Sequence, residues 1–296
     1  MTVTVAKGFL ASGIAAGIKK SGNKDFALVV NQGPLNAAAA VFTSNRCLAN
    51  PVLWSKQVIA DGQVSAIVTN SGGANCYTGP EGFQNTHATA EKVAELLEIS
   101  AGDVLVCSTG LIGEQLDRDK LMHGVALSVA ELSNHAGPLA AEAIMTTDSV
   151  SKTAYFVHAD GWAIGGMAKG AGMLAPGLAT MLVTLTTDAV IDSKNLDAAL
   201  RAATRVTFDR LDSDGCMSTN DTVAVMASGA TGVEPSQSDF AEALTSVCKD
   251  LAMQLLRDAE GSTHDIAIRV VNAANEDDAV EVGRSVARNN LFKAAM

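Results

Sequence analysis

The hydrophobic and polar positions along the chain alternate between two periods. Short runs rich in β-branched and small apolar residues, bounded by turn formers, predict strands at residues 26–30 (FALVV), 37–43 (AAAAVFT), 64–70 (VSAIVTN) and 103–109 (DVLVCST). Four more are predicted at 153–159 (TAYFVHA), 180–187 (TMLVTLTT), 221–228 (DTVAVMAS) and 265–273 (DIAIRVVNA). Between them lie helical patterns. In residues 236–257, Phe240, Leu244, Val247, Leu251 and Leu255 form one apolar stripe at helical spacing. Residues 81–97, 119–132, 193–203 and 277–288 read similarly with less regular spacing. Strands and helices mixed throughout predict an α/β or α+β layered fold. The candidate boundaries are residues 133–138 and the glycine-rich region before Thr180, with no internal repeat and no low-complexity linker.

Composition narrows this picture. In 296 residues, apolar side chains make up 48%, charged ones 18% and aromatics only 4%. The core must therefore be built from Ala, Val, Leu, Ile and Met, which favours close approach of layers. A net charge of −11 argues against a nucleic-acid partner, because phosphate binding needs a basic face. Cys47, Cys76, Cys107, Cys216 and Cys248 are scattered without a CxxC pair, as expected of reduced thiols in a cytoplasmic protein. The dispersed histidines offer no metal-ligand spacing, so no metal site is expected. Residues 8–18 superficially resemble the apolar part of a signal peptide. Glycines interrupt the run, Lys19 and Lys20 end it, and no small-x-small cleavage site follows. No apolar run reaches membrane-spanning length, so no membrane partner is expected.

Several motifs fail on context. Gly170 to Ala175 fits GxGxxA, but Pro176 and a predicted strand follow where a dinucleotide site needs a helix. Asp212-Ser213-Asp214-Gly215 resembles part of a calcium loop, yet Arg210 stands where another ligand is needed. No serine sits in GxSxG. Two stretches keep a chemical reading beside a structural one. Thr180, after Ala179 and a Gly/Pro-rich coil, either opens a strand or attacks the Ala179 carbonyl. An N-to-O acyl shift and hydrolysis would then leave a threonine whose own α-amine, titrating near ~7.7–8, serves as base. Ser108-Thr109-Gly110-Leu111-Ile112-Gly113 is either a plain strand-to-helix turn or an oxyanion-stabilising loop.

Seven blocks then occur in one order: KGFLASGIAAGIKKSGNKDFALVVNQGP, AAAAVFTSNRCLANPV, NSGGANCYTGPEG, CSTGLIGEQL, AIMTTDS, KGAGMLAPGLATMLVTLTTDA and STNDTV. Together they make the chain resemble the ornithine acetyltransferase (bifunctional glutamate N-acetyltransferase) family of arginine biosynthesis, over essentially its whole length. The resemblance implies an αββα sandwich of two stacked sheets, of the self-cleaving N-terminal-nucleophile type. Cleavage between Ala179 and Thr180 would give chains 1–179 and 180–296 that stay interlocked, assembled as a heterotetramer. It implies Thr180 as nucleophile, Thr109 and Gly110 as oxyanion hole, and Thr146, Lys169, Thr180 and Glu260 as contacts to the amino-acid substrate. Whether Lys169 meets a carboxylate and Glu260 an ammonium group, or the reverse, stays open. The implied reaction moves acetyl from N2-acetylornithine to glutamate without a cofactor, acetyl-CoA being an alternative donor. The rival readings are a self-processing amidase or aminopeptidase, and an inactive fragment. The family continues through a DPNWGR-like motif beyond the block matched by NNLFKAAM, so a C-terminally shortened chain is expected. GSTHD after Glu260 and Cys216-Met217 before STNDTV also depart from the family pattern.

Overall fold

A computed structural model of the protein describes residues 2–175 and 181–296. Ala179 and Thr180 therefore lie outside the described residues. Nine strands are described: β1 (Phe9–Ile14), β2 (Phe26–Asn31), β3 (Ala37–Phe42), β4 (Ala66–Asn70), β5 (Val104–Ser108), β6 (Lys152–Val157), β7 (Ala163–Lys169), β8 (Leu182–Thr187) and β9 (Thr222–Ala227). The helices are α1 (Asn50–Val58), α2 (Gly79–Leu97), α3 (Arg118–Ala130), α4 (Gly137–Ala143), α5 (Ser193–Val206), α6 (Gln237–Arg257), α7 (Glu276–Ala287) and α8 (Asn290–Ala295).

The strands form two sheets, ordered β1-β2-β4-β5 and β3-β9-β8-β7-β6. Only β4–β5 and β8–β9 pair in parallel. Side-chain alternation along each strand makes the layers. On β2, Phe26, Leu28 and Val30 pack with Val93 and Ala94 of α2 and Val125 of α3. Ala27 and Val29 point the other way, into a core shared with Ala38, Ala40, Leu182, Ala224 and Met226 of the second sheet. That sheet's opposite face, with Val183, Leu185, Val223 and Val225, packs on Leu196 and Leu200 of α5 and Leu244 and Leu251 of α6. The order is αββα, as the family resemblance implied. Alanine is abundant between the sheets because larger side chains would hold them apart.

Two sequence expectations change, and the stretch dismissed as a signal peptide takes a definite form. The signal-like stretch is an edge strand, β1, paired to β2 from Phe9↔Asn31 to Ile14↔Phe26. The predicted boundary at 133–138 is tied into the fold: Ala11 and Ser133 exchange backbone hydrogen bonds, and α4 follows directly. Residues 265–273 form no strand. Their alternating side chains have no neighbouring strand to pair with. Ile266 and Ile268 instead line a cleft of about 420 Å³ with Leu211 and Leu256, while Val271 is 62% exposed. Unpredicted β7 carries adjacent glycines for a steric reason. A Cβ at Gly165 would lie 2.2 Å from Thr2 O, and one at Gly166 would lie 2.8 Å from Leu185 Cδ2.

Candidate active site

The ends of β5 and β7 and the starts of β8 and β9 converge. In the second sheet, Leu182 pairs with both Lys169 and Thr222, so these three residues share one rung. From the first sheet, β5 delivers Thr109 and Gly110 to the same place, because Lys169 Nζ donates to Thr109 Oγ1 at 3.2 Å. Sequence reasoning placed these residues in one site from the resemblance; the sheet register brings them together.

The turn after β5 is fixed by its own hydrogen bonds. The Thr109 N–H donates to Asn70 O at 3.0 Å, and Asn70 Nδ2 donates to Ser108 Oγ at 2.6 Å. In the amide orientation that satisfies its neighbours, Asn220 donates to Ala74 O and Ser108 O, at 3.0 and 3.1 Å. Gly110 has φ +129°, and a Cβ there would lie 2.8 Å from Gly73 N, so only glycine fits. With its backbone N–H used, Thr109 has only its hydroxyl to offer as donor. Among the described residues the Gly110 N–H has no acceptor. The turn therefore leaves the Thr109 hydroxyl and the Gly110 N–H as its two available donors.

Behind this pair lies a buried charge cluster that sequence reasoning did not single out. Asp148 Oδ1 accepts from Lys152 Nζ at 2.7 Å and from the Gly170 N–H at 2.6 Å. Its Oδ2 accepts from the Thr146 N–H at 2.9 Å and lies 4.0 Å from Lys169 Nζ. Lys152, fully buried, also donates to Asp258 Oδ2 at 2.6 Å. Asp258 accepts from the Ser149 N–H and hydroxyl, which ties the loop before β6 to the end of α6. Two residues on, the Glu260 N–H donates to Ala171 O at 2.7 Å, and the Glu260 carboxylate accepts from the exposed Thr147 hydroxyl. Asp148 thus has direct contact with Thr146 and Lys169, and Lys152 and Asp258 extend the cluster toward Glu260. Each acid stands alone in a loop of the sequence; the one available signal was Asp148 and Lys152 at a spacing of four, flanking the start of a strand.

The electrostatics follow from burial and pairing. Burial pushes the Asp148 carboxyl up, but Lys169, the Gly170 N–H, Lys152 and the Thr146 N–H outweigh it and hold it below the usual carboxylate range. Burial pulls the Lys169 ammonium down to about 8 against the opposing Asp148 and Asp221 carboxyls, with Lys152 and Lys19 adding to the fall. Asp221, also missed in the sequence, accepts from the Met181 N–H at 3.0 Å. Burial drives its carboxyl well above the usual range, opposed in part by the Met181 N–H, Ser218, Lys169 and Thr43. Cys107, beside the turn, is inert: burial pushes its thiol up to about 12. Among the described residues no group of three or more His, Cys, Asp or Glu could hold a metal ion, and no helix is long and apolar enough to cross a membrane.

Comparison with known proteins gives the family. The arginine biosynthesis bifunctional protein ArgJ of Streptomyces avermitilis is 68% identical over all of this chain and 77% of its own length. The ornithine acetyltransferase of Mycobacterium tuberculosis, solved in complex with ornithine, is 54% identical with a TM-score of 0.59, covering 61% of this chain and 96% of that one. An L-aminopeptidase D-Ala-esterase/amidase from Ochrobactrum anthropi, described as a variant of the Ntn hydrolase fold, is 12% identical with a TM-score of 0.51. It covers 88% of each chain and shares the fold alone. The ArgJ family matches residues 10–296, and this chain belongs to that family.

Proposed function

We propose that the chain cleaves itself between Ala179 and Thr180 and then transfers acetyl from N2-acetylornithine to glutamate through the Thr180 hydroxyl. The observation that carries this reading is the meeting of Thr109, Gly110 and Lys169 at the start of β8, which begins two residues after Thr180 in the chain. In the first half-reaction Thr180 Oγ attacks the acetyl carbonyl carbon, and its proton passes to the Thr180 α-amine. The oxyanion takes the Thr109 hydroxyl and Gly110 N–H, each worth about 2.7–4 kcal/mol in comparable sites. The C–N bond then breaks, the proton moves from the α-ammonium to the leaving ornithine nitrogen, and an acetyl ester remains on Thr180. Glutamate's amine attacks that ester in the reverse sense, forming the new amide and returning the proton to Oγ.

Thr146, Lys169 and Glu260 are assigned to the amino-acid portion of the substrate. Glu260 and Thr146 border the buried cluster from its more exposed side, which suits them to charged groups entering from water. The strand order supports a cleaved pair that stays together. β8 and β9 of chain 180–296 lie between β3 and β7 of chain 1–179, so separation would expose both strands' edges and the core. Assembly of such pairs into a heterotetramer in the cytoplasm belongs to the same proposal. No step calls for a cofactor; acetyl-CoA enters only as an alternative donor to the same hydroxyl.

The test is an assay with N2-acetylornithine in the presence and absence of glutamate. N-acetylglutamate should form only when glutamate is present, and acetyl-CoA offered alone with glutamate measures the second donor. Acetate released at the same rate without glutamate would instead make the protein a hydrolase.

A further inference from the structure

Lys169 is almost wholly buried, and its ammonium is 3.2 Å from Thr109 Oγ1. A hydroxyl oxygen has one proton and two acceptor sites. An ammonium donating to Oγ1 occupies an acceptor site, so the Thr109 proton is left to point elsewhere, and the adjacent cation makes it a better donor. Since the Thr109 N–H is already held by Asn70 O, this hydroxyl is the donor that Thr109 can give to an oxyanion.

The cation needs an anion to stay charged in such a place. The groups facing Lys169 are Asp148 in the loop before β6, Lys152 on β6, Asp221 before β9 and Lys19 after β1. Two of these are cations, and burial favours the neutral form of the Asp221 carboxyl. Asp148 is the carboxylate within ion-pair distance of Lys169, at 4.0 Å, and it also fixes the Gly170 N–H next to that lysine.

We propose that Asp148 is a positioning residue for the transfer reaction, acting through the Lys169 ammonium on the hydroxyl of Thr109. The proposal rests on the acetyl-transfer reading given above. It separates Lys169's effect on the oxyanion from any contact it makes with substrate, because the first belongs to kcat and requires Thr109.

The experiment is the pH dependence of kcat, with saturating N2-acetylornithine and glutamate, in wild type, Asp148→Asn and Thr109→Val. Loss of the Lys169 proton should give wild type an alkaline limb, distinct from the acid limb of the Thr180 amine. In Asp148→Asn that limb should move to lower pH. A displacement of one unit lowers kcat about tenfold on the alkaline side, and the ratio to wild type should recover toward one as the pH falls. In Thr109→Val the Lys169 limb should vanish from kcat, whether or not Asp148→Asn folds. An alkaline limb that stays put in Asp148→Asn while kcat drops equally at every pH would overturn the proposal. So would a limb that persists in Thr109→Val. A wild-type chain that transfers no acetyl overturns the acetyl-transfer reading as well; an active one with an unmoved limb overturns this inference alone.

Discussion

Met181 and Asp221 are locked together at the start of the parallel pair β8 and β9. The Met181 N–H donates to Asp221 Oδ1 at 3.0 Å, and the neighbouring Thr222 N–H donates back to Met181 O at 3.1 Å. The residue that follows the proposed nucleophile is therefore held on both its donor and its acceptor.

Asp221→Ala should slow self-cleavage and cost about 1–3 kcal/mol, the penalty for leaving the buried Met181 N–H without a partner. Asp221→Asn keeps an acceptor oxygen and should cleave nearly normally. The pH dependence separates them further. A carboxyl whose folded pKa is raised binds its proton more tightly in the native state, so its contribution is complete below the unfolded value near ~3.9 and is lost as pH rises through the folded value. Urea denaturation against pH should show that loss in wild type and not in Asp221→Asn.

Gly110→Ala should be soluble but poorly active. The added Cβ collides with Gly73 backbone, and φ +129° is unfavourable for alanine, so the turn must shift and carry the Gly110 N–H with it. Losing one oxyanion donor predicts a fall in kcat of about 10²–10³ with little change in KM. Steady-state kinetics on the purified variant measures it.

Lys152→Met should destabilise the fold by about 3–5 kcal/mol, because it leaves two carboxylates, Asp148 and Asp258, against an apolar side chain. Burial raises both carboxyls, but pairing more than offsets it and holds each below the usual range. Their contribution to stability is therefore present above the unfolded pKa and lost as pH falls through the folded values. Without Lys152 the buried carboxyls are relieved by taking up protons, so the stability deficit of Lys152→Met should be largest near neutral pH and shrink as pH falls, as followed by urea denaturation with circular dichroism.

Alkylation of the native protein with iodoacetamide should modify Cys47 and Cys216, which are exposed, and spare Cys76, Cys107 and Cys248, which are buried. Peptide mapping reads the pattern. Rapid loss of activity tracking modification of Cys107 would contradict the assignment of that thiol to packing.

Much of the layered fold was legible because β2, β5, β8 and β9 are buried runs with clear turn boundaries, and α6 carries an unbroken apolar stripe. β7 was not, since Gly165 and Gly166 carry no side chain to register as hydrophobic; their smallness answers to Thr2 and Leu185, residues remote in sequence. Residues 265–273 show the opposite failure, because alternation describes one strand's faces and says nothing of whether a partner strand exists. For the site, Thr109, Gly110 and Lys169 were readable as parts of ordered blocks. Asp148, Lys152, Asp258 and Asp221 were not, since a buried ion pair leaves no periodicity and its partners lie as far apart as 106 residues.

The central claim, transfer through Thr180, is tested most directly by intact-mass measurement of the protein after incubation with N2-acetylornithine and no glutamate. The account predicts two fragments, 1–179 and 180–296, with the second heavier by one acetyl group on its N-terminal threonine and returned to its original mass when glutamate is added. An uncleaved chain, or an acetyl group that forms on another residue and survives glutamate, would contradict it.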